Sequence, residues 1–129
     1  MRCLWLTWID PKPEHDGQRI YSGRLIEAVA KAGAHIRVLC FSSDGSPRSD
    51  GEVEGRVRWS MVPYPSRPAW TSVLSSLPHI AHRSATTPMR EAFGGLLRGA
   101  PWDAVVLDGL YAGWALLPYQ RRFANGQRR

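Results

Sequence analysis

The stretch "WIDPKPEHDGQRIYSGRL", Trp8 to Leu25, gathers most of the chemistry-bearing residue types in this sequence into one place. It holds an acidic–His–acidic cluster (Glu14, His15, Asp16), then Gly17, Gln18 and Arg19. The cluster has the composition of a metal site, but its ligands are adjacent and no further group is spaced to complete a shell. No metal is expected. The glycine and arginine suggest a second chemistry. A glycine that opens a helix lets a ligand approach the backbone, the free N–H groups there attract an anion, and an arginine adds charge. Elsewhere, Asp108 ends an apolar run, where a carboxylate can accept a hydrogen bond from a substrate hydroxyl; it is the one weak catalytic candidate. His79 and His82 lie three apart with no carboxylate at a useful spacing, and His35 begins a strand-like run. No GxGxxG, Walker loop or GxSxG elbow is present, so no cofactor is expected on motif grounds.

The elements that must position these residues are legible from periodicity. "RCLWLTWI" (2–9) is almost continuously apolar, as a strand buried on both faces reads. From Gly17 the period becomes helical, with Tyr21, Leu25, Ala28, Val29 and Ala32 on one predicted face. Asp16 serves as a candidate N-cap and Gly33 as the stop. "HIRVLCF" (35–41) is a second strand, making a βαβ unit. After the turn-rich segment 42–55, "RVRWSMVPY" alternates, as a strand near a sheet edge does. Trp70, Val73, Leu74 and Leu77 mark a short helix ended by Pro78. A further helix opens at Thr87–Pro88, presents Met89, Phe93, Leu96 and Leu97, and ends at Gly99. "PWDAVVLD" (101–108) is another parallel-type strand, and "GLYAGWALLPYQRRF" is predicted as a last helix disturbed by Pro118. This order argues for an α/β layered sheet. Ligands in such sheets bind beyond the carboxyl ends of the strands, here 10–19, 42–45 and 108–111.

The bulk properties fit that plan. At 129 residues and 43% apolar, the chain suits one domain with a real core. The formal charge is +6, and all but two of the 17 basic residues are arginine. Arg2, Arg37, Arg56, Arg58 and Arg90 are scattered, whereas Arg121, Arg122, Arg128 and Arg129 cluster. No basic run is interleaved with aromatics, so a nucleic-acid partner is disfavoured. Cys3 and Cys40 sit in apolar runs, as small buried hydrophobes do, and a reduced cytoplasmic setting is the expectation. The apolar runs are too short for a signal-peptide core or a membrane span.

With these residues in place, "RCLWLTWIDPKPEHDGQRIYSGRLIEAVAKAGAHIRVLCF" resembles the start of the GT-B glycosyltransferases, of the glycosyltransferase-4-like class. The shared features are a strand, a Pro-containing loop (Pro11, Pro13), a loop glycine (Gly17), a helix bearing Arg19, and "LIEAVAKAGAHIRVL". "PWDAVVLDGLYAGWAL" is similar to the same family's fourth-strand region. The resemblance implies a Rossmann-like three-layer sandwich with a mostly parallel sheet, incomplete at its C-terminal end. It implies residues 1–118 as the acceptor-side domain and 119–129 as a basic tail. It further implies that Gly17, Gln18 and Arg19 face the phosphates of a UDP- or GDP-sugar donor, and that Asp108 faces the acceptor side. Gln18 stands where the family has a second glycine.

The chain is much shorter than a two-domain enzyme of this class, so the expectation is an N-terminal half. Turnover would need a C-terminal donor-binding domain in cis or in trans, with a saccharide or lipid-linked acceptor. The alternative is a non-catalytic Rossmann-like binding or self-associating module, such as a homodimer built on an open sheet edge. The arginine tail (Arg121, Arg122, Arg128, Arg129) suggests peripheral contact with the inner membrane face.

Overall fold

A computed structural model describes residues 1–9, 17–42, 55–63 and 85–116. Four strands form one sheet: β1 (Arg2–Ile9), β2 (His35–Ser42), β3 (Val57–Pro63) and β4 (Ala104–Leu107). All three pairings are parallel and the order is β3-β2-β1-β4. Helix α1 (Gly17–Lys31) joins β1 to β2, α2 (Thr87–Gly99) precedes β4, and a 3-10 segment (Leu110–Leu116) follows it. This is the α/β, Rossmann-like sandwich, in the doubly wound strand order.

Strand alternation sends successive side chains to opposite faces and so divides the core in two. On one face Cys3, Trp5, Ile36, Val38, Cys40, Val57 and Trp59 pack against Ile26 and Ala30 of α1. On the other, Leu4, Leu6, Leu39, Phe41 and Val62 pack against Met89 and Phe93 of α2, with Trp114 edge-on to Phe93 at 5.5 Å between centroids. The near-continuous apolar reading of β1 and β2 is thereby explained, because both are central strands covered on both faces. β3 lies at the sheet edge, as its alternation foretold.

Both predicted helix stops and one predicted start are present. Gly33 has φ +107°, its N–H donates to the Ala30 carbonyl, and the Ala34 N–H donates to that of Val29. Thr86 is the N-cap of α2, its Oγ1 accepting from the Met89 N–H at 3.3 Å, with Pro88 in the first turn. α2 ends at Gly99.

Two expectations need correcting. The buried stripe of α1 is rotated from the predicted one: Ser22, Ile26 and Ala30 face the sheet with Leu25 and Val29 beside them, while Tyr21 is 61% exposed. A polar residue, Ser22, takes an inward position because it can accept a hydrogen bond there, and hydrophobicity alone could not reveal that. The predicted last helix begins as a 3-10 segment instead: Gly109 takes φ +88°, and the Ala112 N–H bonds back three residues to the Gly109 carbonyl. The predicted helix around 70–77, His79, His82, Glu14, His15, the Asp16 cap and the 119–129 tail lie outside the described residues.

Candidate functional site at the switch point of the sheet

In the order β3-β2-β1-β4 the direction in which strands are added reverses between β1 and β4, which run parallel, and the crevice beyond their carboxyl ends is where doubly wound folds bind ligands. Of the three carboxyl-end segments named from sequence, this geometry brings two together, the start of α1 and the end of β4, and leaves the end of β2 to the side.

Asp108 is the first residue past β4. Its N–H donates to the Leu6 carbonyl at 2.8 Å, which extends the β1–β4 ladder and fixes where its side chain starts. The residue is buried, only 8% exposed. One carboxylate oxygen, Oδ2, accepts from Trp5 Nε1 at 3.2 Å. The other, Oδ1, accepts from Gln18 Nε2 at 3.4 Å, and the same amide donates to Ser22 Oγ at 3.1 Å. Trp5 comes from β1, Gln18 and Ser22 from the first two turns of α1, and Asp108 from the end of β4, so three elements converge on one carboxylate. Among the described residues no Arg, Lys or His forms an ion pair with it. A buried carboxylate held by two donors keeps further lone pairs for a hydroxyl or cationic group arriving from the crevice.

Gln18 therefore has a different place from the one the sequence suggested. Its amide is turned inward to Ser22 and Asp108, so it ties α1 to β4 instead of standing over the helix N-terminus. Gly17 opens α1 in open space, where a Cβ would meet nothing within 4 Å. The fold itself does not demand glycine at that position. Arg19 is half-buried one residue further along and makes no ion pair with Asp108.

Three contributors escaped sequence reasoning. Trp5 reads as one more apolar strand residue, and its indole N–H matters only once β4 lies beside β1. Ser22 sits on the helix with no motif to mark it. Gly109 needs its positive φ to turn the chain immediately after Asp108, and its ideal Cβ would lie 3.8 Å from Gln18 Nε2. A fourth feature is a bulge at the carboxyl end of β1: Leu6 pairs with Leu39 but Ile9 with Phe41, leaving one extra residue in Thr7–Trp8. Bulges of this kind re-aim the chain beside binding sites.

Comparison with protein-family models, with curated proteins and with solved structures finds no match. Among the described residues no three His, Cys, Asp or Glu side chains group as metal ligands, and no helix is long and apolar enough to cross a membrane.

Proposed function

We propose that this chain is the N-terminal, acceptor-side domain of a glycosyltransferase resembling the GT-B, glycosyltransferase-4-like class. The observation that carries the reading is the hydrogen-bonded junction of Gln18 with Asp108 across the switch point. It puts a helix N-terminus and a buried carboxylate on one crevice, the two features needed beside a nucleotide-sugar phosphate and a sugar hydroxyl. In this reading Gly17 and Arg19 of the first turn of α1 face the donor phosphates of a UDP- or GDP-sugar, while the Gln18 side chain holds that turn against Asp108. Asp108 accepts a hydrogen bond from the saccharide or lipid-linked acceptor. A donor-binding domain, in cis or in trans, completes the enzyme, which works in the cytoplasm or at its membrane face.

Amide NMR titration of the chain with UDP- and GDP-sugars tests this. Weak binding is expected, with shifts concentrated at residues 17–19 and 108–109. Shifts absent from both segments at saturating millimolar ligand would sink the proposal.

A second reading, a self-associating module, is favoured by one observation. No described strand pairs with the outer edge of β4, where Val105 is 42% exposed.

A further inference from the structure

The arginines that look scattered in the sequence are not scattered in the fold. Arg2, His35, Ile36, Arg37, Gly55, Arg56, Arg58 and Trp102 line one cleft of about 330 Å³ at the amino ends of the strands, opposite the switch point. That volume is at the lower end of the range for small-molecule sites. Parallel register explains the gathering. Arg2 pairs with His35 and Arg37 with Arg58, so all four side chains emerge on the α2 face of the sheet. Further along the same face, Leu4, Leu6, Leu39, Phe41 and Val62 form core. One sheet face is thus apolar toward its carboxyl end and cationic at its amino corner.

This is an unusual place for such charge. β2 is a central strand of a parallel sheet, where both faces are ordinarily apolar, yet Arg37 stands in it. Directly opposed like charges on neighbouring strands destabilise a sheet, and Arg37 and Arg58 are directly opposed. Of the two, Arg37 is held by a neutral acceptor: its Nη1 donates to Ser60 Oγ at 3.3 Å. Arg56 Nη1 donates to the Ala30 carbonyl at 3.4 Å at the end of α1. The Arg2 guanidinium lies 5.6 Å from the centroid of the Trp102 ring, whose Nε1 is anchored on the Leu96 carbonyl at 2.7 Å. Asp103 accepts from the Arg2 backbone N–H at 2.7 Å, and no acidic residue lines the cleft among the described residues.

We propose that this cleft is a binding site for a pyrophosphate group, carried by a small molecule or by a lipid headgroup. Three strands about 4.8 Å apart spread the guanidinium groups over about 10 Å, wider than one phosphate and suited to two linked ones. Guanidinium groups take phosphate oxygens in bidentate fashion. Trp102 supplies an apolar wall for whatever the pyrophosphate is attached to. The site is independent of the switch-point crevice and stands or falls separately from it.

Calorimetric titration with inorganic pyrophosphate, at ionic strength matched with sodium chloride, is the direct test, run beside co-sedimentation with phosphatidylcholine vesicles with and without a prenyl pyrophosphate. The variants are Arg37→Gln/Arg58→Gln, the exposed edge-strand variant Arg58→Gln, and Arg24→Gln on α1 as a control that removes the same single charge as Arg58→Gln, with circular dichroism to verify folding. The double variant is expected to lose at least about tenfold in affinity, and Arg58→Gln alone to lose part of it, while Arg24→Gln keeps it. The double variant is also expected to melt no lower than the wild type without ligand, because a like-charge pair has gone. Binding of free pyrophosphate identifies a soluble ligand; binding confined to the doped vesicles identifies a headgroup. Binding to neither, or a loss as large in Arg24→Gln as in the double variant, overturns the proposal.

Discussion

At Asp108 two donors from different elements meet on one carboxylate, and the cost of removing it is set by what those donors lose. Asp108→Ala leaves Trp5 Nε1 without an acceptor in a buried place and takes one acceptor from the part-buried amide of Gln18. The expected loss is about 2 kcal/mol in urea denaturation, and Asp108→Asn, which keeps one acceptor oxygen, should lose less. Equal losses for the two would mean that the hydrogen bonds contribute nothing. The thiol of Cys3 offers a second residue-level expectation. Burial pushes its pKa above the ordinary 9.0, so the native state holds the proton more tightly than the unfolded chain does. Its contribution to stability is therefore fully present below the unfolded value and is lost as pH rises from there through the folded value. Denaturation midpoints should fall on the alkaline side of pH 9 and fall less steeply in Cys3→Ala, whatever that substitution costs at neutral pH.

The elements show which parts of the molecule the sequence could disclose. Strands β1 and β2 were legible because central parallel strands are apolar on both faces. α2 was legible because it carries its own punctuation, from Thr87–Pro88 to Gly99, with the capping residue Thr86 supplied by the structure. Thr86→Ala removes the acceptor for the Met89 N–H and should cost about 1 kcal/mol by thermal or chemical denaturation, with Thr86→Ser close to neutral. The inward face of α1 was not legible, since Ser22 is polar and faces inward for the sake of one hydrogen bond with Gln18. The 3-10 course of 110–116 was hidden too: an apolar pattern on a short segment does not say whether the turn will be tight. Of the candidate site, Asp108 and the start of α1 were readable as strand-end and helix-start positions. Their junction was not, because it depends on β4 lying beside β1 rather than beside β3. Nothing local in "AVVLD" states that choice.

For the molecule as a whole, strand order decides what residue lists cannot. It puts the switch point between β1 and β4, and it turns a dispersed arginine composition into a cationic corner through the register of β1, β2 and β3. Among the described strands it also leaves β4 as an edge, with Val105 exposed. On the acceptor-side reading proposed above, the chain should scatter light as a monomer over a wide concentration range. A mass that grows with concentration, and that Val105→Lys returns to the monomer value, would favour the self-associating module instead.

The central position of β1 has a consequence in time. Its first partner, β2, follows within one helix, but its second, β4, comes about 60 residues after β2 ends. At about 5–20 residues per second, a ribosome needs about 3–12 s to supply it. Throughout that interval the strand that will become the middle of the sheet is an edge, with Leu4 and Leu6 lacking Val105 and Leu107 beside them. Slowing translation over residues 43–103 with synonymous codons should therefore lower the soluble yield, which expression of the recoded gene checks.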